Sequence, residues 1–205
     1  MKRNEYKAGI LSRLGMLTEN KALPEAELNM LIKHARIWIA ETFGIFDERY
    51  QDVKVFALGG AAIAEYETLP SDFLKALTVS VNNYPARRIS FAEYEAIDEN
   101  SYFTPSPTDP IWFTYKNLVG VSPTSASTNA SMYYIRTPTA FSDDTTDETG
   151  LTAPYIWQEY QPLVILKACE GVAKKFKPDW DIKGEIAAEM QKIAQEKGYD
   201  IKGTA

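Results

Sequence analysis

Hydrophobic residues recur at helical spacing near both ends of the chain. Two such segments lie at residues 4–17 and 24–43, and Gly44 provides a stop for the second. Near the C-terminus, Leu163–Ala173 is apolar on nearly every face, which predicts a buried helix, and residues 179–197 carry one apolar stripe. The pattern therefore predicts two helices at each end. The stripe positions are Tyr6, Ile10, Leu14, Leu17, Leu28, Leu31, Ile32, Ala35, Trp38, Ile39, Thr42, Phe43, Ile182, Ile186, Met190 and Ile193.

The middle of the chain alternates between apolar and polar residues, which is typical of strands. Ser90 and Glu93 have the spacing of a capping box and predict a short helix. Residues 111–137 alternate on both sides of a small polar segment, which predicts a hairpin with a flexible tip at 122–131. The alternating segments are 53–57, 77–81, 111–115 and 132–136.

The order of these elements predicts an α+β fold that is mainly helical. Two N-terminal and two C-terminal helices are expected to close on one another as a four-helix core, with a β-rich insertion in the middle. The predicted organisation is a single domain over 1–205, with its helical core at 1–44 and 150–198 and its insertion at 45–140.

An acidic loop joins the last predicted strand to the buried helix. Its four carboxylates lack the spacing of a calcium-binding loop. They also do not define a glycosidase pair, because any two of many carboxylates in the chain fit that description equally well. We interpret the loop as a solvated acidic segment, with a subunit contact or opportunistic cation binding as alternatives. The four residues are Asp143, Asp144, Asp147 and Glu148.

Composition and charge narrow the possible functions. The chain has 205 residues with a net charge of -6, and its hydrophobic share of 45% is ordinary for a globular protein. Tight nucleic-acid binding is disfavoured, because phosphate affinity requires clustered Lys and Arg. No apolar run approaches the roughly 18 residues of a membrane helix. The N-terminal residues lack the apolar region of a signal peptide, so a cytoplasmic site of synthesis and assembly is expected.

No catalytic constellation is present in the sequence. His34 is the one histidine and has neither a second histidine nor a cysteine nearby, so no zinc site is indicated. Cys169 is the one cysteine and is expected to pack as a small hydrophobe. Gly59 and Gly60 lack the context of a phosphate loop and predict a hairpin turn. Tyr155 and Trp157 are expected to belong to the core or an interface. The sequence thus predicts no enzyme, no cofactor and no metal.

Five features occur in an order that is similar to a known family. Leu69–Phe73 forms a compact turn before an alternating strand, and Ser90–Glu93 begins a short helix. A later strand leads to Pro138, then to Asp143–Asp144, and then to Pro154–Tyr155 before the buried helix. This order resembles the head-to-tail connector, or adaptor, proteins of tailed bacteriophages. The resemblance spans residues 24–176 and rests on the order of elements more than on any single motif.

The resemblance implies a structural virion protein at the head–tail junction. Such proteins form a ring, usually of twelve copies, beneath the portal protein. The ring extends the DNA channel, through which DNA passes without sequence-specific binding, and it offers a docking surface to tail or nozzle proteins. The implied partners are other copies of the chain, the portal and the tail, without a membrane.

Three classes of function remain open at this point. The first is the adaptor subunit, the second is another head- or tail-completion protein of a phage particle, and the third is a small soluble hydrolase or ligand-binding domain. For the adaptor, the polar tip 122–131 and the C-terminal helix are candidate contact segments together with the acidic loop. The candidate interface residues are Asp143, Asp144, Asp147, Glu148, Tyr155, Trp157, Ile186 and Met190.

Overall fold

The computed structural model describes residues 1–16, 23–58, 65–97, 104–123, 128–151 and 153–200. They belong to two compact units: a helical unit, Met1–Tyr50 with Thr137–Ala205, and a sheet unit, Gln51–Arg136. Whether the two units act as one adaptor domain with the predicted boundaries stays a prediction. The predicted turn at Gly59 and Gly60 and the centre of the predicted polar tip, 124–127, lie outside the described residues.

Five α-helices and eight strands are found in the described part of the chain. The helices are α1 (Arg3–Arg13), α2 (Glu25–Phe43), α3 (Phe91–Glu95), α4 (Gln161–Phe176) and α5 (Ile182–Lys197). The strands are β1 (Gln51–Leu58), β2 (Glu65–Thr68), β3 (Phe73–Val81), β4 (Tyr84–Pro85), β5 (Arg87–Arg88), β6 (Ile111–Tyr115), β7 (Leu118–Ser122) and β8 (Thr128–Arg136).

Helix α4 is the centre of the helical unit. Pro162 lies in its first turn, where backbone N–H groups have no partner within the helix, so the N–H that proline lacks costs no helical hydrogen bond. The helix packs against α1, α2 and α5, and Leu163 and Cys169 are fully buried. Gly9 of α1 lies so close to α4 that an added Cβ would be 2.7 Å from Ile165. The buried helix predicted from Leu163–Ala173 is therefore the element around which this unit is packed.

The predicted mainly helical fold with a four-helix core is wrong. Two four-stranded sheets account for much of the chain and form a second unit with its own hydrophobic core. The core of the helical unit also contains residues outside its α-helices, since Ile156 and Tyr160 are fully buried. Hydrophobic periodicity predicted the helices, but it carried no information on the irregular segment that packs between them.

The sheet unit is a sandwich. The sheet orders are β1-β8-β3-β4 and β2-β7-β6-β5, and almost all neighbouring strands are antiparallel, β5 and β6 being parallel. The buried residues between the sheets are Phe56, Val79, Val81, Trp112, Val119, Val121, Ala130, Met132 and Tyr134. The predicted 111–137 hairpin is wrong, because β7 pairs with β6 whereas β8 pairs with β1 and β3 in the other sheet.

Helix α3 covers the outer face of the second sheet with aromatic rings. The Ser90 hydroxyl accepts the Glu93 N–H at 3.1 Å and Glu93 in turn accepts the Ser90 N–H at 2.6 Å, as the predicted capping box requires. The rings of Tyr94 and Phe113 stack with centroids 4.4 Å apart. Gly120 is needed beneath Phe113, because an added Cβ would lie 2.4 Å from the ring.

We predict that Gly120→Ala destabilises the protein by about 1–3 kcal/mol, because a methyl group there overpacks a buried aromatic ring that has little room to move. Gly150→Ala is the matched control, since its nearest neighbour would be 3.8 Å away. Urea unfolding followed by circular dichroism measures the two free energies of unfolding. Equal stability of both variants would contradict the close packing of Phe113 on Gly120.

Candidate assembly site in the helical unit

The acidic loop is anchored to its own chain at each of its four predicted carboxylates. Asp143 closes a local turn, since its Oδ1 accepts the N–H groups of Thr145 and Thr146, both at 2.8 Å. The hydroxyl of Thr145 donates to the same oxygen at 2.8 Å. The hydrogen bonds from Thr145 and then Thr146 lower the pKa of the Asp143 carboxyl far below its usual range. Asp143 thus stabilises the loop and keeps its negative charge, with which no cation of the described residues forms an ion pair.

Asp144 ties the loop to α1. The Nζ of Lys7 donates to both Asp144 oxygens at 2.8 Å, and the guanidinium of Arg3 donates to Oδ1. Lys7 also pairs with Glu25 at the start of α2, again at 2.8 Å. The hydrogen bond from Lys7, followed by that from Arg3, holds the pKa of Asp144 below its ordinary value.

Asp147 fixes the beginning of the chain to the same loop. Its Oδ1 accepts the Thr149 N–H at 3.3 Å and the Met1 ammonium at 3.2 Å. These contacts lower the pKa of Asp147, the Thr149 N–H contributing most. The Glu148 N–H also donates to the Met1 carbonyl at 3.1 Å, so backbone and side chain hold the two segments together.

Glu148 is fully buried and is the centre of the site. Among the described residues, four donors reach its two oxygens. Arg36 of α2 binds in a bidentate manner, with Nε 2.9 Å from Oε1 and Nη2 2.8 Å from Oε2. Tyr6 of α1 donates its hydroxyl to Oε1 at 3.0 Å, and the Ile156 N–H donates to Oε2 at 3.1 Å. One carboxylate thus connects α1, α2 and the segment that leads into α4.

Aromatic rings exclude water from this ion pair. The guanidinium carbon of Arg36 lies 4.4 Å from the centroid of the Phe141 ring, within the range of a cation–π contact. Phe141 in turn meets Tyr6 edge to face, with ring centroids 6.0 Å apart. Burial, and then the negative charge of Glu148, raises the pKa of Tyr6 well above its usual range, so its hydroxyl remains a donor.

A second ionic cluster lies at the other end of the segment. Asp47 accepts hydrogen bonds from Arg49 Nε at 2.8 Å and from the Tyr160 hydroxyl at 2.8 Å. Glu159 accepts from Arg49 at 2.6 Å and pairs with Lys197 of α5 at 2.7 Å. Arg49 also lies over the Trp157 ring, 4.4 Å from its centroid. The segment 148–160, which leads into α4, is therefore held at both ends by ion pairs.

The predicted interface residues fall into two groups in the structure. Asp143, Asp144 and Asp147 have solvent-accessible side chains, and Tyr155 and Trp157 are partly buried against each other with centroids 4.4 Å apart. Their role in a subunit contact stays a prediction. The remaining three residues are buried within the chain itself, and these are Glu148, Ile186 and Met190.

Sequence reasoning missed the cations that pair with three of the four carboxylates of the acidic loop. Arg36 is 4% exposed and follows Ala35 on the buried face of α2, three and four residues from Ile39 and Ile32. A charged residue on an apolar helix face requires a buried partner. That signal was available in the sequence. The identity of the partner, 112 residues away, was not.

The chemistry of this site is ionic and structural. No group of three or more potential ligands that could hold a metal ion occurs among the described residues. Cys169 is fully buried, and burial raises the pKa of its thiol to about 12, far from that of a reactive thiolate. Across the described helices, none is long and apolar enough to cross a membrane.

Comparison with known families supports the resemblance noted in the sequence. The family model described as SU10 adaptor protein matches residues 8–198. The chain belongs to this family. The suspected membership of a phage head–tail adaptor family is thereby confirmed, and the protein is a phage structural adaptor that is a virion component and associates with other head or tail proteins. No curated protein matches the chain.

We predict that Glu148→Ala destabilises the adaptor by about 3–5 kcal/mol, because it leaves the Arg36 charge buried and unpaired. Glu170→Ala is the control, since Glu170 pairs with Lys167 on the partly exposed side of α4, where an ion pair contributes about 0–1 kcal/mol. Urea unfolding measures both losses. Replacing the whole pair, in Arg36→Met/Glu148→Leu, is expected to restore only part of the stability, because it removes the unpaired charge but leaves the Tyr6 hydroxyl and the Ile156 N–H without their acceptor. Similar losses for the two single variants would contradict a central role for Glu148.

We predict that the stability of the adaptor falls when the pH drops below the ordinary Asp pKa of 3.8. The pKa values of Asp144 and Asp147 are depressed in the folded state, so the unfolded chain binds more protons as the pH falls. The stability that these two carboxylates contribute is fully present above their pKa in the unfolded chain. It is lost as the pH falls through their lower pKa in the folded protein. Between pH 6 and pH 2, the free energy of unfolding should depend less steeply on pH for Asp144→Asn than for Asp179→Asn, which changes an exposed residue and serves as the control. Identical slopes would contradict the ion pairs of Asp144.

Proposed function

We propose that this adaptor is the subunit of a ring that docks beneath the portal protein and receives the tail. Membership of the SU10 adaptor protein family over residues 8–198 is the observation that carries the proposal. The proposed ring has twelve copies, lies at the head–tail junction of the virion and extends the DNA channel. The proposal includes no catalytic role and no cofactor.

The anchored acidic loop supports a role as a preformed contact surface. A segment that is already fixed by ion pairs loses less conformational entropy when a neighbour binds than a mobile loop does. We propose that Asp143, Asp144 and Asp147 form the outer part of a subunit contact, together with Tyr155 and Trp157. Glu148, Ile186 and Met190 act indirectly, by holding the loop and α5 in position from within the chain.

The charge of the chain fits a channel through which DNA passes. A net charge of -6 gives no general attraction for the phosphate backbone, which favours passage over tight binding. We therefore propose that the ring contacts DNA without reading its sequence. Identical subunits around a rotation axis need two different complementary faces, so the acidic loop is expected to meet a different surface of the next copy.

Reconstitution with the portal and tail proteins of the same phage tests this function. Mass photometry and electron microscopy should show a closed ring on the portal with twelve adaptor copies, and no such assembly for Glu148→Ala at equal concentration. Glu170→Ala should assemble as the unmodified chain does. A chain that stays monomeric with portal present, or that binds at another position in the particle, would overturn the proposal; the second result would indicate a different completion protein.

A further inference from the structure

Strand β1 is a free edge of the first sheet. It pairs with β8 over all eight residues with an unbroken register, and no second strand in the described part of the chain pairs with it. The Val53 N–H donates to the side chain of Asp52 at 2.7 Å, so the backbone of Val53 faces away from β8. By the alternation of a strand, the backbone groups of Val55 and Ala57 face the same way. The edge therefore offers the backbone groups of Val55 and Ala57 to another strand, whereas the N–H of Val53 is already bound by Asp52.

The other sheet edges in the described ranges are short or irregular. Strands β4 and β5 have two residues each, β4 contains Pro85, and β2 has four residues. Strand β4 covers only one end of β3. The rest of β3 has two register shifts in its pairing with β8, between Phe73 and Lys75 and between Ala76 and Thr78. Short strands, proline and bulges are the usual means of preventing unwanted pairing. Strand β1 has none of these features, although it is the longest of the edges.

Val53, Val55 and Ala57 place exposed apolar side chains on the outer face of β1. Val53 is 43% exposed, Val55 is 62% exposed, and the cross-strand neighbour of Val53, Tyr133, is 44% exposed. Thr78 lies opposite Tyr133 and Ser131 lies opposite Val55, so the central part of this face carries no charge. The charged Lys54 points to the other side, where its Nζ binds Glu67 and the Thr68 carbonyl. A strand that docks here meets an uncharged surface.

A second copy of the adaptor is a poor occupant for this edge. If β1 paired with β1 of another copy, the contact would be two-fold and would close on itself, whereas a ring needs a contact that propagates by rotation. Among the described residues, the remaining edges of a second copy are short, bulged or blocked by proline, so they do not supply an eight-residue strand. This elimination rests on the proposed ring.

We propose that β1 accepts an extended, uncharged segment of another particle protein as an added strand. Backbone hydrogen bonds along Val55 and Ala57 supply the affinity, and the alternating apolar side chains select a partner segment with uncharged residues at matching positions. The adaptor then joins its neighbour through its sheet unit, by a contact distinct from the acidic loop.

Hydrogen exchange of the full-length adaptor tests this inference. The portal protein and the tail protein of the same phage are added separately, and exchange is followed over residues 51–58. We expect the amides of Val55 and Ala57 to exchange at least ten-fold more slowly with one of the two partners. Val55→Pro removes an edge N–H that β8 does not use and should weaken that partner's binding at least ten-fold, whereas Val55→Thr keeps the N–H and should bind normally.

Val55→Lys provides a second variant, because an exposed lysine is compatible with folding and opposes strand addition. Urea unfolding confirms that each variant is folded. Unchanged exchange at 51–58 in assembled rings, or normal binding by both Val55→Pro and Val55→Lys, would overturn the inference while leaving the ring intact. Slow exchange in the adaptor alone, together with a dimer, would overturn it in favour of a second copy. Failure of the unmodified chain to form rings on the portal would instead count against the proposed function.

Discussion

The Arg36–Glu148 ion pair is the interaction on which the helical unit depends. Removing two charges from water costs several kcal/mol for each ion, so a buried pair is tolerated only when its remaining hydrogen-bonding capacity is used. Here Tyr6 and the Ile156 N–H complete that set. The result is that α1, α2 and the irregular segment before α4 share one carboxylate, and a change in any of them affects the others.

This arrangement changes how the acidic loop should be understood. A run of carboxylates on a loop indicates a solvated, mobile segment with a strong negative potential. In the structure, Asp144 and Asp147 meet cations of the N-terminal region, Asp143 caps a turn and Glu148 is buried. The loop therefore presents a fixed shape, and three of its four carboxylates are paired with cations. In the proposed ring, a fixed shape would lower the entropic cost of assembly.

The sheet unit solves a different physical problem. Its core lies between two sheets, and most of its edges are protected by short strands, bulges or proline. Strand β1 is the exception, since it exposes Val53 and Val55 and pairs with only one other strand of the described residues. Such an edge is an aggregation hazard unless a partner covers it, which is the reason to regard it as a contact of the assembled particle.

The sequence by itself determined the long helices, because the 3.6-residue periodicity of α2, α4 and α5 requires no knowledge of neighbours. It also determined the short capped helix at Ser90 and the order of elements that carries the family resemblance. Tertiary structure decided the pairing of β8, because alternation marks a strand but not its partner. It likewise decided that Glu148 pairs with Arg36, because the two residues are 112 positions apart in the sequence and only the fold brings them together. Without that partner, a carboxylate in a loop is expected to be solvated.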